Sequence, residues 1–140
     1  MRYKLLANLY EELSSTTKRL EKIDILSKFL EDLNEKDEDI LYLLEGNIYP
    51  NYDERRIGIS NQIAIKAISK STGTETNKVI ALWKKIGDLG QVAEKLTSNK
   101  TQTTLASHII TTEKVLINLR KLPELEGKGT IEKKLSLITE

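Results

Sequence analysis

The chain contains no cysteine, one histidine, two prolines and one tryptophan among its 140 residues. Without thiols there is neither a disulfide scaffold nor a thiolate metal site. A single imidazole removes most histidine-based zinc sites and any catalysis that needs two. Long apolar runs are also missing, and none approaches the roughly 20 residues that a bilayer-crossing helix requires. The segment from Met1 to Tyr10 holds two cations but no small-residue cleavage site, so it does not read as a signal peptide. Alternating apolar and polar stretches are nearly absent, and no Asn-Gly or Asp-Gly pair marks a hairpin. The expected class is a cytoplasmic, soluble, monomeric protein with no membrane partner.

What is present is enough to fold. At 39% hydrophobic and 31% charged, the chain is too apolar to be disordered, and its length suggests one domain with one core. Net charge is only +1, yet the charges are segregated. Residues 31–54 carry nine acids against Lys36 alone, whereas residues 55–100 carry nine cations against Glu75, Asp88 and Glu94. This asymmetry fits one face that meets phosphate and another that avoids it, or charges that simply decorate exposed helices.

The hydrophobic period is helical nearly throughout. Leu20, Ile23, Leu26, Leu30 and Leu33 step by three and four, as do Val79, Trp83 and Ile86, and later Val115, Leu119 and Leu122. Gly46, Gly73 and Gly87 sit where helices should stop, and Pro123 forbids continuation past Leu122. Ser60, Thr74, Thr112 and Thr130 stand where helices should start. The pattern predicts an all-α fold, a compact bundle of about eight helices without sheet, at 2–13, 17–34, 38–45, 60–72, 75–86, 89–96, 112–122 and 130–139. Trp83 falls on an apolar stripe and is expected in the core. The last helical period runs to Glu140 without a stop signal, which suggests a chain cut from a longer protein.

Enzyme motifs are absent: no Walker loop, no G-x-G-x-x-G after a strand and no H-E-x-x-H. His108, in a polar loop without an obvious nucleophile, reads as a bystander. Three places suit a phosphate instead. The first is Ser14-Ser15-Thr16-Thr17-Lys18-Arg19 with Lys22 a turn on, where hydroxyls, free N–H groups and cations would meet at a helix start. Ordinary N-capping is the simpler alternative there. The second is Gly127-Lys128-Gly129-Thr130 leading into Lys133 and Lys134, where two glycines let backbone approach a ligand. The third is Gly87-Asp88-Leu89-Gly90, a turn between helices that follows Lys84 and Lys85.

These elements occur in a recognisable order. Thr16-Thr17-Lys18-Arg19-Leu20-Glu21-Lys22 is followed by Gly46-Asn47-Ile48-Tyr49-Pro50 and by Ile57-Gly58-Ile59. Next come Gly87-Asp88-Leu89-Gly90-Gln91-Val92-Ala93-Glu94 and Glu126-Gly127-Lys128-Gly129-Thr130. The sequence resembles, along its whole length of 1–140, the N-terminal DNA-binding domain of ATP-dependent DNA ligases of the archaeal type, which are similar to the eukaryotic replicative enzymes.

The resemblance implies an all-helical domain that grips nicked double-stranded DNA across the minor groove, within an enzyme of replication, repair and recombination. Taken with the three phosphate-suited places, the expected DNA-binding residues are Ser15, Thr16, Thr17, Lys18, Arg19, Lys22, Lys84, Lys85, Gly87, Gly90, Gly127, Lys128, Gly129, Thr130, Lys133 and Lys134. The resemblance also implies that the adenylation and OB-fold domains follow elsewhere. The family's catalytic lysine sits in Lys-x-Asp-Gly, a string this chain lacks. No catalytic residue, metal site or cofactor is therefore expected in this segment; ATP and Mg2+ would serve the parent enzyme. In archaeal ligases a sliding-clamp (PCNA) docking motif follows the Gly-Asp-x-Gly helix. Gln102 and Leu105 match it, but Ala106 and Ser107 replace the two aromatics that would anchor the clamp. The alternative reading is a helical protein-interaction module that uses the acidic stretch and the 97–111 loop.

Overall fold

A computed structural model describes residues 1–34, 37–98 and 109–139. The described residues form eight α-helices and no strand. These are α1 (Tyr3–Ser15), α2 (Arg19–Glu31), α3 (Ile40–Leu44), α4 (Asn61–Thr72), α5 (Thr76–Ile86), α6 (Leu89–Ser98), α7 (Thr112–Lys121) and α8 (Thr130–Thr139). The all-α expectation holds, and the observed helix ends lie within a few residues of the predicted ones.

The punctuation works locally as chemistry requires. Ser60 caps α4 by accepting the Ile63 N–H at 3.3 Å. Gly73 and Gly87 end α4 and α5 in the left-handed region, at φ +67° and +87°, where a side chain would be strained. Pro123 stops α7, and Leu122–Glu124 continues as one 3-10 turn. Of the four predicted start signals, Thr112 and Thr74 are displaced, as is Thr130, the first residue of α8. The cap of α7 is Thr111, whose hydroxyl accepts the Lys114 N–H at 3.2 Å, while Thr112 is buried and donates its hydroxyl to the Met1 carbonyl. The α5 start is Glu75, without a side-chain cap, and the carbonyl of Thr74 instead accepts the Ser69 hydroxyl.

The expectation of one core is corrected, because the chain divides into two compact units. The first unit takes Met1–Arg55 and the later segment ending at Arg120. Its core is Leu6, Leu9 and Ile40, against which Phe29, Leu26 and Tyr10 pack, and the Tyr10 hydroxyl donates to the Leu43 carbonyl at 2.7 Å. Met1 and Tyr3 exchange backbone bonds with Thr112 and Ile110, so chain ends far apart in sequence close this unit. One isolated antiparallel bridge, Arg2 to Thr111, accompanies them.

The second unit runs from Arg56 through α6 and resumes at Lys121. Here α4, α5 and α6 pack on one another and α8 packs on α4. Ile65, Val79 and Val92 form the centre, and Trp83 packs against them as expected. Hydrophobic period reveals which face of a helix is apolar but not which faces meet. That is why a two-core arrangement was hidden.

Candidate nucleic-acid interface

Each of the three phosphate-suited places is built differently from the sequence expectation. At the first, in unit one, Ser14 and Ser15 are the last residues of α1 and donate their hydroxyls back to the Glu11 and Glu12 carbonyls. They do not gather at the α2 start, which corrects the expectation of four hydroxyls there. Thr16 accepts the Lys18 N–H at 3.2 Å and donates to the Glu21 carboxylate. Lys18 reaches the same carboxylate at 2.7 Å. The bonds from Lys18 and Thr16 hold the Glu21 carboxyl below its ordinary pKa. The α2 start thus already carries a carboxylate of its own. Arg19 and Lys22 have no ion-pair partner among the described residues.

At the second place, in unit two, Gly127 and Gly129 adopt φ +85° and +77°, and no heavy atom lies within 4 Å of an added Cβ at either. The loop is bare, as the sequence suggested. Thr130 is the first residue of α8 rather than its cap, and its hydroxyl donates to the Gly127 carbonyl. Lys134 is turned inward. Its ammonium donates to the Ile57 and Gly58 carbonyls, both at 3.2 Å. A Cβ on Gly58 would lie 2.7 Å from that nitrogen, which the flexible lysine could relieve by moving, and it is the φ of +60° that favours glycine there. Lys128 and Lys133 remain exposed and without an ion-pair partner among the described residues.

The third place, also in unit two, places Gly87 at the end of α5 and Gly90 inside the first turn of α6. Asp88 between them accepts the Gln91 N–H at 2.8 Å, so its own carboxylate caps α6 where an external anion would bind. The Asp88 oxygen lies 3.0 Å from a Cβ built on Gly90. Lys84 and Lys85, in the last turn of α5, are exposed and unpaired among the described residues. Gln102, Leu105 and His108 lie outside the described residues.

Sequence reasoning passed over four more cations of unit two. Lys66 and Lys70, one turn apart on α4, Lys78 in the first turn of α5 and Lys121 are exposed without an ion-pair partner among the described residues. Their (i, i+4) spacing opposite buried Ile65 and Ala67 was the available signal. It also missed Arg120. That guanidinium holds Asp39 through two bonds of 2.9 and 2.8 Å and donates to the Ile48 carbonyl at 3.0 Å. Arg55 stacks over the Tyr49 ring at 3.8 Å, and the Tyr49 hydroxyl donates to the Arg120 carbonyl. The partners of Arg120 lie 72 and 81 positions away, beyond any local pattern.

Gly129→Val is expected to cost about 1–3 kcal/mol of stability, since the space is open but the backbone region is closed to branched side chains. A thermal melt measures this, and a melt like the wild type's would refute it. Duplex titration of the folded variant then tests the loop as a phosphate site. Binding lost beyond the unfolded fraction supports the site, and normal binding leaves these glycines as loop formers only.

Among the described residues no helix is long and apolar enough to cross a membrane, and no group of three His, Asp or Glu is placed to hold a metal. The profile of the family described as "DNA ligase N terminus" matches residues 2–140. A DNA ligase of Methanosphaera stadtmanae is 39% identical over 142 residues, covering 99% of this chain and 26% of that protein. DNA ligases of Cenarchaeum symbiosum and Methanobrevibacter smithii are 34% and 36% identical, over 99% and 100% of this chain and 24% and 26% of their own lengths. The chain therefore spans about a quarter of the length of the curated relatives it matches. With a family profile and several relatives following it from end to end, the chain belongs to the DNA ligase N-terminus family, that of ATP-dependent DNA ligases.

Proposed function

We propose that this chain holds duplex DNA by its phosphate backbone, without reading sequence, for a ligase whose nick-sealing chemistry is carried elsewhere. Family membership along residues 2–140 carries the reading. The exposed lysines of α4, α5 and α8 suit it, because phosphate contacts fix position and carry no sequence information. A ligase that acts on nicks of any sequence needs that kind of contact. In this reading the substrate is nicked double-stranded DNA met in replication, repair and recombination within the cytoplasm. ATP and Mg2+ act in the part of the ligase that supplies the Lys-x-Asp-Gly lysine. Sliding-clamp docking through Gln102 and Leu105 belongs to the same proposal. The family match favours it over a stand-alone protein-interaction module.

Titration of a labelled nicked duplex with the chain, repeated across salt, is the test. With about three to five phosphates neutralised, log K should fall against log salt with a slope near −3 to −4, equally for unrelated sequences. Salt-independent binding, or strong preference for one sequence, would overturn the reading.

A further inference from the structure

We propose that the phosphate-facing surface of this chain lies on the second unit alone, and that the first contributes little to holding the duplex. The inference rests on the DNA-binding reading above and sharpens it. The near-neutral net charge of +1 conceals two opposite bodies. The first unit holds ten basic and fourteen acidic residues, a net charge of −4, and the second holds twelve basic and seven acidic, a net charge of +5. The division largely follows sequence order, and the segment ending at Arg120, which returns to the first unit, carries a net charge of only +1.

Side-chain pairing deepens the contrast. In the first unit Lys18 is paired with Glu21, Lys28 with Asp24, Arg55 with Asp53 and Arg120 with Asp39, and the N-terminal amine with Asp37, which leaves Arg2, Lys4, Arg19 and Lys22 without an ion-pair partner among the described residues. A cation already held by a carboxylate must give up that partner to neutralise a phosphate. In the second unit Lys66, Lys70, Lys84, Lys85, Lys128 and Lys133 are exposed with no carboxylate bound among the described residues. Each can release a condensed counterion from the duplex without first losing an internal contact. The surrounding field acts the same way: a body of net +5 attracts a polyanion, and one of net −4 opposes it within about a Debye length of 8–10 Å. Of the three places suited to phosphate, the two in the second unit therefore lead, and the Thr16–Lys22 element recedes.

Two triple variants that change net charge equally separate the possibilities. One carries Lys84→Gln, Lys128→Gln and Lys133→Gln; the other carries Lys18→Gln, Arg19→Gln and Lys22→Gln. Both are titrated with nicked duplex across salt beside the wild type, with melts to confirm folding. The first is expected to bind about tenfold or more weakly and to flatten the log–log salt slope by about two to three. The second should keep its slope within about half a unit of the wild type's. Arginine at the same three positions of the second unit should retain the slope, which a purely structural role for these lysines would not predict. Equal losses in both variants, or a larger loss in the second, would overturn the inference while leaving DNA binding intact. A wild-type chain that does not bind duplex at all would instead overturn the reading on which it rests.

Discussion

Alanine at Leu6 is expected to destabilise the protein by about 2–5 kcal/mol, the range for a leucine truncated in a core that collapses only partly. Leu6 is fully buried, and with Leu9 and Ile40 it forms the cluster on which Phe29, Leu26 and Tyr10 rest. Denaturant unfolding gives the magnitude, and amide exchange gives the location. Protection should fall first in α1, α2 and α3. The helices around Ile65, Val79 and Val92 form a cluster to which Leu6 contributes nothing, so their exchange should change least. A uniform loss of protection along the chain would show that the two clusters behave as one cooperative core.

The second large effect is expected from Arg120→Ala, at about 1–3 kcal/mol. The substitution leaves the Ile48 carbonyl and the Asp39 carboxylate without their donor. Arg120→Lys should recover only part of this, because an ammonium cannot form the paired bonds of a guanidinium. Both side chains are partly exposed, which keeps the ion-pair share of the loss small. The acid limb of the stability curve provides an independent check. The bond from Arg120 holds the Asp39 carboxyl below its ordinary value of 3.8. A carboxylate with a depressed folded pKa stabilises the fold above its unfolded pKa, and the contribution drains away as pH falls through the folded value. Wild-type stability should therefore drop below about pH 4, and the drop should be shallower in Arg120→Ala. Parallel acid limbs for the two proteins would show that the pair contributes no net stability.

Helices announced themselves because their cause is local. The three-and-four stepping of Val79, Trp83 and Ile86, the cap at Ser60 and the left-handed stops at Gly73 and Gly87 each act within a few residues of chain. Family membership was legible for a similar reason, since Gly87-Asp88-Leu89-Gly90 and Glu126-Gly127-Lys128-Gly129-Thr130 are contiguous strings. The bare backbone at Gly127 and Gly129 was likewise a property that two residues carry by themselves.

The use to which each polar group is put was another matter. Lys133 and Lys134 are neighbours of the same type, yet one is exposed and the other donates to carbonyls 76 and 77 positions away. Thr16 and Lys18 seemed free for an anion until Glu21 turned back onto both. Asp88 looked like a turn residue and proved to be the anion at its own helix start. By itself, then, the sequence determined an all-helical chain, its helix boundaries to within a few residues, and this family, because backbone hydrogen bonding and capping are short-range. Only the tertiary structure decided that the helices divide into two units, and which cations remain unpaired. Those outcomes depend on contacts between segments far apart in the chain, where electrostatic pairing follows distance in space rather than distance in sequence.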